Sequence, residues 1–202
     1  MLAMQPTLKD GYAWKKFRPV KYMSTQPEKM IDTGGTPEAR HTLRNYIVIS
    51  NRVNEGDTFE VAYLRCYVSG SNHNNLVRAC CYEKLDDTFQ LVAVGEEVLV
   101  KNFTGWKDFP ISFTWPSGKE YWIGLGGNRA SAFSSLYLYY QGNVSGYTNY
   151  SKGFTYPDFP SSLDWWAGSR YYDEKSNIMV YGVYPAVAVK RIYGDGLVWI
   201  VS

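Results

Sequence analysis

From about residue 43 onward, apolar and polar residues alternate with a period of two, and this alternation is the strongest constraint on the fold. Successive side chains of a β-strand point to opposite faces, so this period is typical of strands that bury one face. Eight segments have this pattern and are rich in β-branched and aromatic residues. They are LRNYIVIS, DTFEVAYLRCYV, NLVRACCYE, FQLVAVGEEVLV, WKDFPISFTW, KEYWIGLGG, SSLYLYYQ and NIMVYGVYP.

Turn-forming residues separate these segments, and none of the intervening stretches has the 3.6-residue period of an amphipathic helix. A parallel sheet needs crossover connections, usually helices, so this pattern argues against an α/β fold. About eight regularly spaced strands are typical of an antiparallel sandwich. We therefore predict an all-β fold: an antiparallel two-sheet, jelly-roll-like sandwich over residues 36–185, with an irregular N-terminal arm and a C-terminal β-hairpin.

The two ends of the chain differ from this central part. Residues 1–35 contain several prolines and no sustained period, which predicts an irregular arm. Residues 186–202 predict a hairpin that turns at Gly194-Asp195-Gly196. An isolated hairpin is marginally stable in water, so we expect this one to pair with the sandwich, with the arm or with another subunit.

Charge is unevenly placed along the chain. Residues 1–30 carry six basic and two acidic residues, a net charge of +4, with aromatic residues between them. Such an arm either docks on an acidic or aromatic partner surface or wraps its own domain, and the sequence leaves both open. The whole chain has 21 basic and 19 acidic residues, which does not favour a nucleic-acid partner. The candidate assembly contacts are the aromatic residues Trp14, Phe17, Tyr22 and Trp199.

The densest run of aromatic residues lies at 103–127, in FTGWKDFPISFTWPSGKEYWIGLGG. Alternation predicts that Trp122 shares a face with two glycines, while Tyr121 lies on the opposite face with Ile123. Trp106 follows a glycine at a strand start, from which we expect it to pack across the sandwich. We therefore predict that most of this run is core or sheet-face packing rather than a ligand platform.

The segment VAYLRCYV predicts one apolar and one polar-aromatic face. The apolar face would carry Ala62, Leu64, Cys66 and Val68, and the other face Val61, Tyr63, Arg65 and Tyr67. The three cysteines of the chain are Cys66, Cys80 and Cys81. We predict that they are buried free thiols, with Cys66 and Cys81 on one side and Cys80 on the other.

Residues 142–176 have weak periodicity and predict a long loop, a kind of segment that often carries function. Within it, the stretch SSLDWWAGSRYYDEKS contains the candidate ligand-binding residues Trp165, Trp166, Arg170, Tyr171 and Tyr172. Aromatic rings stack on the apolar faces of sugars, and guanidinium groups bind their hydroxyls. The same residue types are enriched in interface hot spots. A third interpretation is a small hydrophobic cluster that anchors the loop, and the sequence does not decide among the three.

Residues suited to catalysis are sparse. Nucleophilic catalysis needs a base beside a serine or cysteine, and the only histidines are His41 and His73. Glycoside hydrolysis needs two carboxylates that face each other across a cleft. The acidic pairs Asp86-Asp87, Glu96-Glu97 and Asp173-Glu174 are adjacent in sequence, so on a strand their side chains would point to opposite faces. We therefore predict that the protein is not an enzyme.

Cofactor and metal motifs are equally sparse. No phosphate-binding, dinucleotide-binding or HExxH motif is present, and no CxxC occurs, so we predict no cofactor and no dedicated metal centre. Aspartates in predicted turns supply oxygen ligands suited to Ca²⁺ but lack the spacing of an EF-hand, so they indicate only a generic site. These aspartates are Asp57, Asp86, Asp87, Asp158 and Asp164.

Several stretches together resemble a known type of module. They are GDTFEVAYLRCYVSG, NLVRACCYE, LVAVGEE, FTGWKDFPIS, PSGKEYWIGLGG and IMVYGVY. In this order they resemble the jelly-roll domains appended to phage tail and other virion proteins, and to secreted or cell-surface proteins. The resemblance covers roughly residues 43–184. It implies a jelly-roll fold and a carbohydrate-binding or structural role, and it reaches neither end of the chain.

These features lead to one main functional expectation. We expect a non-catalytic structural subunit of a virion or extracellular assembly, which self-associates through its terminal arms into a homo-oligomer or joins other structural subunits. The alternative is a carbohydrate- or receptor-binding adhesion module that uses the aromatic residues of the 165–172 loop. A glycan-degrading enzyme is a third, weaker hypothesis. No run of about eighteen apolar residues occurs, so we expect no insertion into a membrane.

Overall fold

The computed structural model of the protein describes the backbone of residues 28–31 and the whole of residues 35–183. Strands dominate this part of the chain, which contains no α-helix and a single 3₁₀ turn at Trp165–Ala167. The strands are β1 Glu28–Ile31, β2 Ala39–Thr42, β3 Tyr46–Val53, β4 Phe59–Gly70, β5 Asn75–Leu85, β6 Thr88–Val100, β7 Phe103–Trp115, β8 Glu120–Gly127, β9 Leu136–Gln141, β10 Thr148–Gly153, β11 Ser162–Asp164, β12 Ser169–Tyr172, β13 Lys175–Ser176 and β14 Ile178–Val183.

The strands form two antiparallel sheets. Sheet I runs in the order β1-β14-β4-β9-β13, with β7 on the other side of β4 and β2 on β9. Sheet II runs in the order β11-β6-β5-β8-β3-β10-β12. Each of the eight segments with a period of two forms a strand. The predicted all-β antiparallel sandwich is therefore confirmed.

The main core lies between the two sheets. It consists of alternate residues from both inner faces, including the fully buried Phe59, Leu64, Phe109 and Trp115. Each such side chain contributes about 1.5–3 kcal/mol when it leaves water. Tyr121, Ile123 and Leu125 of β8 also lie in this core, as their alternation predicts.

A second core lies on the outer face of sheet II. Trp122 of β8 packs there with Phe89 and Tyr150, and residues 154–165, the covering segment, lie over them with Phe154, Phe159, Leu163 and Trp165. Two tyrosine hydroxyls of the sheet fasten this segment: Tyr82 donates to the Pro160 carbonyl (3.0 Å) and Tyr150 to the Asp164 carbonyl (2.7 Å). Burial raises the pKa of Tyr150 to about 12, so its hydroxyl stays a donor at neutral pH. Strand β8 is consequently buried on both faces.

The prediction of a long loop at 142–176 was wrong. This segment contains β10, β11, β12 and β13, which extend both edges of sheet II and one part of sheet I. Its strands are only two to six residues long. Such short strands leave too few alternations for a period to be visible in the sequence.

Two predictions about side-chain direction were also wrong. Val61 is buried and Ala62 exposed, because a β-bulge between Val61 and Tyr63 shifts the alternation within β4. Trp106 lies on the outer face of sheet I with 36% of its surface exposed, rather than packing across the sandwich. From Tyr63 onward the predicted faces of β4 are correct.

The three cysteines are buried and unpaired. Cys66 and Cys81 lie in the main core and Cys80 in the second core, as alternation predicts. Burial raises the pKa of each thiol, so all three remain protonated at neutral pH.

Both ends of the described chain meet at one edge of sheet I. Strand β1, which lies inside the predicted irregular arm, pairs with β14 so that Glu28 lies opposite Val183. Residues 1–27 and 184–202 lie outside the described part, and so do the predicted C-terminal hairpin and the assembly candidates Trp14, Phe17, Tyr22 and Trp199.

Candidate functional site

The outer face of sheet I carries an unusual set of aromatic and charged side chains, which we call the tyrosine face. Because side chains alternate, every second residue of β4, β7, β9 and β14 points outward here. Its members are Tyr63, Arg65, Tyr67, Trp106, Asp108, Tyr139, Met179 and Tyr181.

An ion pair lies at the centre of the tyrosine face. Arg65 donates from Nε to Asp108 Oδ1 (2.6 Å) and from Nη2 to Asp108 Oδ2 (2.9 Å). The bond to Asp108 raises the pKa of Arg65 further above its usual range, so this guanidinium is always charged. It also lies 5.1 Å from the ring centre of Tyr181, which stacks on Tyr63 with ring centres 4.8 Å apart. Side chains held on both sides in this way are oriented before any ligand arrives.

A shallow groove of about 510 Å³ lies beside the ion pair. It is lined by Arg65, Phe103, Trp106, Lys107, Asp108 and Met179. The ring of Trp106 makes an edge contact with Tyr67 (5.5 Å), and Tyr67 makes another with Tyr139 (5.1 Å). The groove thus combines an exposed indole with a fixed pair of hydrogen-bonding groups. Its volume lies within the range of about 300–1,000 Å³ typical of small-ligand sites.

The predicted ligand-binding residues of the 165–172 loop do not form one surface. Trp165 packs in the second core, 5.4 Å from Trp122, and is half-buried. Trp166 is 64% exposed, and Arg170 lies over its ring at 4.6 Å. Tyr171 contacts the ring of His41 at 4.4 Å, away from the two tryptophans.

Tyr172, the last of the five candidates, is 64% exposed at the end of β12. Asp164 accepts a hydrogen bond from the Trp166 amide (2.7 Å) and fixes the start of the 3₁₀ turn. The exposed ligand candidates in this loop are therefore Trp166 with Arg170 and, separately, Tyr172.

A polar cluster that no sequence pattern predicts joins residues from both sheets. His41 of β2 lies with Nε2 2.7 Å from Glu174 Oε2, and its ring stacks on Tyr140 at 4.5 Å. Glu174 also accepts from Asn149 Nδ2 (3.3 Å). Burial lowers the pKa of His41, and the bond and charge of Glu174 partly oppose this. Since His41 and Glu174 are 133 residues apart in sequence, no short sequence motif indicates that they form a pair.

This polar cluster does not complete a catalytic arrangement. A histidine held by a carboxylate is the base of a triad, which also requires a nucleophile. Within residues 35–183, the His41 ring hydrogen-bonds only Glu174. The nearby Ser176 hydroxyl is buried and donates to Asn149 Oδ1 (2.8 Å).

Metal-binding groups are also scattered. The part of the chain that the structure describes contains no group of three or more His, Cys, Asp or Glu that could hold a metal ion. Of the aspartates considered for Ca²⁺, Asp164 caps the 3₁₀ turn, and Asp86 adopts a positive φ of 53° in the β5–β6 turn. Among the described residues, no helix has the length and apolar character needed to cross a membrane.

Comparisons with protein-family models, with curated proteins and with solved structures find no match to this chain.

Proposed function

We propose that the protein is a non-catalytic structural subunit of a virion or extracellular assembly and self-associates through its terminal arms. The observation that carries this proposal is the pairing of β1 with β14, in which Glu28 lies opposite Val183. The chain therefore enters β1 at Glu28 and leaves β14 at Val183, and these two positions are adjacent at one edge of sheet I. Two arms that start together are well placed to engage the same neighbour.

Sheet edges favour this kind of association. In the described part of the chain β1 pairs only with β14, so its other side offers backbone groups to an added strand. A contact between equivalent edges would close as a symmetric dimer, whereas a head-to-tail contact would form a ring or a fibre. A homo-oligomer is the expected product.

Light scattering behind a sizing column tests this proposal. We expect the full chain to be a multimer and a chain of residues 28–183, which keeps β1 and β14, to be a monomer. Circular dichroism of the shortened chain checks that it remains folded. A second experiment uses the full-length chain. Replacing both Trp14 and Trp199 by alanine should reduce assembly, whereas Trp166→Ala, which removes an exposed tryptophan, should not. A monomeric full chain at tens of micromolar would contradict the proposal.

Carbohydrate binding is the second candidate, and the groove of the tyrosine face favours it. Trp106 offers an indole face to the apolar side of a sugar, and the Arg65–Asp108 pair offers donors and acceptors to its hydroxyls. Among the described residues that line the groove, Asp108 is the one carboxylate, and it is bound to Arg65. Glycoside hydrolysis generally uses two carboxylates across the bond, so this groove suits binding rather than cleavage.

A glycan array followed by calorimetry tests this second candidate. Trp106→Ala should abolish binding, because stacking on the indole supplies most of the contact area. Trp166→Ala is the matched control, since it removes an exposed tryptophan from the 3₁₀ turn between β11 and β12 of sheet II. The opposite result, loss of binding with Trp166→Ala alone, would move the site to the 165–172 loop. No binding to any glycan would remove this candidate.

A further inference from the structure

A small pocket lined by two arginines lies where β2 leads into β3, next to the loop that follows β8. The pocket has a volume of about 270 Å³ and is lined by Thr42, Arg44, Tyr46 and Arg129. It is separate from the groove of the tyrosine face and belongs to neither proposed function above.

The guanidinium group of Arg44 is held in a fixed position, but one of its hydrogen-bond donors has no partner among the described residues. Its Nη2 donates to the Ala132 carbonyl (2.8 Å), and its backbone forms a bridge with Gly127. Its Nε is buried and has no hydrogen-bond partner among the described residues. Buried donors are paired in the great majority of cases, and an unpaired one calls for a specific explanation. A bound acceptor would supply the missing bond.

The loop that holds Arg44 is itself well braced. Ser134 Oγ donates to the Ser131 carbonyl (2.9 Å), and the Phe133 amide donates to Ser131 Oγ (3.2 Å). The Ala132 carbonyl that accepts from Arg44 lies inside this turn. The guanidinium is therefore oriented before a ligand binds, which lowers the entropy that binding would lose.

The charge of the pocket is uncompensated. The ion pairs found among the described residues include His41–Glu174, Arg65–Asp108 and Lys119–Glu83, and no described residue forms an ion pair with Arg44 or Arg129. None of the described residues that line the pocket carries a carboxylate. Two guanidinium groups, one of them with a buried free donor, are the kind of group with which proteins bind oxyanions.

We propose that this pocket binds a carboxylate, sulfate or phosphate group of a ligand. Its volume lies just below the range of about 300–1,000 Å³ of small-ligand sites, so it accommodates one charged group rather than a whole large ligand. Arg44 and Arg129 hold the oxyanion. Tyr46, 41% exposed at the rim, offers a ring face to the rest of the ligand. An acidic sugar such as a uronic acid has both features, and a free inorganic oxyanion has only the first.

Nuclear magnetic resonance of the arginine Nε–Hε groups in the full-length protein tests the proposal. Sulfate, glucuronate and, as a neutral control, glucose are titrated at constant ionic strength. We expect a saturable shift of the Arg44 Nε–Hε signal with sulfate or glucuronate and none with glucose. Tighter binding of glucuronate than of sulfate would identify a sugar as the source of the oxyanion, and the reverse would identify an inorganic ion. Both results support the site, whereas a linear, unsaturated response overturns it.

Two substitutions distinguish specific binding in the pocket from the general attraction of anions to a positively charged protein. Arg129→Gln should weaken binding about tenfold or more, because it removes a charge-assisted hydrogen bond. The Arg129 side chain is exposed and makes no ion pair with the described residues, so this variant should remain folded. Lys84→Gln removes the same charge at the β5–β6 turn, where Lys84 Nζ donates to the Asp86 carbonyl (2.6 Å), and should leave affinity unchanged. Equal weakening by the two variants would overturn the proposal.

Discussion

The outer faces of the two sheets use the same kinds of residue in opposite ways. On sheet II, the covering segment 154–165 buries Trp122 to 4% exposure and creates a second core. On sheet I, Trp106 is 36% exposed, and the aromatic rings of the tyrosine face contact one another and Arg65 along the surface. The difference shows that an outward-facing aromatic residue of a strand is buried only where another segment of the chain packs over it.

The largest expected difference between the two faces is in stability. Trp122→Ala should lower the free energy of unfolding by about 3–5 kcal/mol, because it leaves a cavity beneath the covering segment. Trp106→Ala, its counterpart on sheet I, should change it by about 1 kcal/mol or less. Denaturation of both variants in urea measures the contrast. Similar losses would mean that the two faces are equally buried.

A smaller effect is expected where the covering segment touches β8. A Cβ added at Gly126 would lie 2.6 Å from the Phe159 ring and 3.0 Å from the Phe154 ring, so Gly126→Ala must push both rings outward. Overpacking of this kind costs about 1–3 kcal/mol. Hydrogen exchange should increase in residues 154–165. Gly142→Ala is the control, since among the described residues its Cβ would meet only Glu38, at 3.9 Å.

The junction between the sheets should respond to pH. Burial lowers the pKa of His41 below its unfolded value near 6.5, so the folded state favours the neutral ring. The stabilisation is therefore complete above the unfolded pKa and is lost as the pH falls through the folded pKa. His41→Gln should flatten the decrease in melting temperature between about pH 7 and pH 5. His73→Gln should not, and an unchanged slope in the His41 variant would contradict the assignment.

The smallest effect is expected for the ion pair of the tyrosine face. The side chains of Arg65 and Asp108 are 36% and 47% exposed, so water and salt screen their attraction. A double-mutant cycle with Arg65→Ala and Asp108→Ala should give a coupling energy of about 1 kcal/mol or less. The pair would then serve orientation more than stability. A coupling energy of several kcal/mol would show that the tyrosine face contributes as much to the free energy of unfolding as the second core.

The candidate sites differ in how far the sequence revealed them. Alternation in β4 correctly put Tyr63, Arg65 and Tyr67 on one polar-aromatic face, but nothing local showed that Trp106 and Asp108 of β7 would complete a groove with them. The 165–172 loop was singled out by composition alone. Composition does not indicate that Trp165 faces inward while Trp166 faces water.

Neither the pocket lined by Arg44 and Arg129 nor the polar cluster of His41 and Glu174 could be predicted from the sequence. Arg44 and Arg129 are 85 positions apart, and the covalent order of the chain says nothing about their approach. His41 and Glu174 meet only because β2 joins sheet I through β9, while the chain between β12 and β13 crosses from one sheet to the other. Such contacts depend on pairing between distant strands.

The sequence by itself determined the fold class, the eight main strands and the faces of β8, because a period of two is a local consequence of strand geometry. Only the tertiary structure decided which sheet each strand joins, where the β4 bulge reverses the alternation and which outer face is covered. Those outcomes depend on long-range hydrogen bonding and on burial by residues far away in the chain. The short strands of 142–176 belong to this second group, since their neighbours, rather than their own pattern, make them strands.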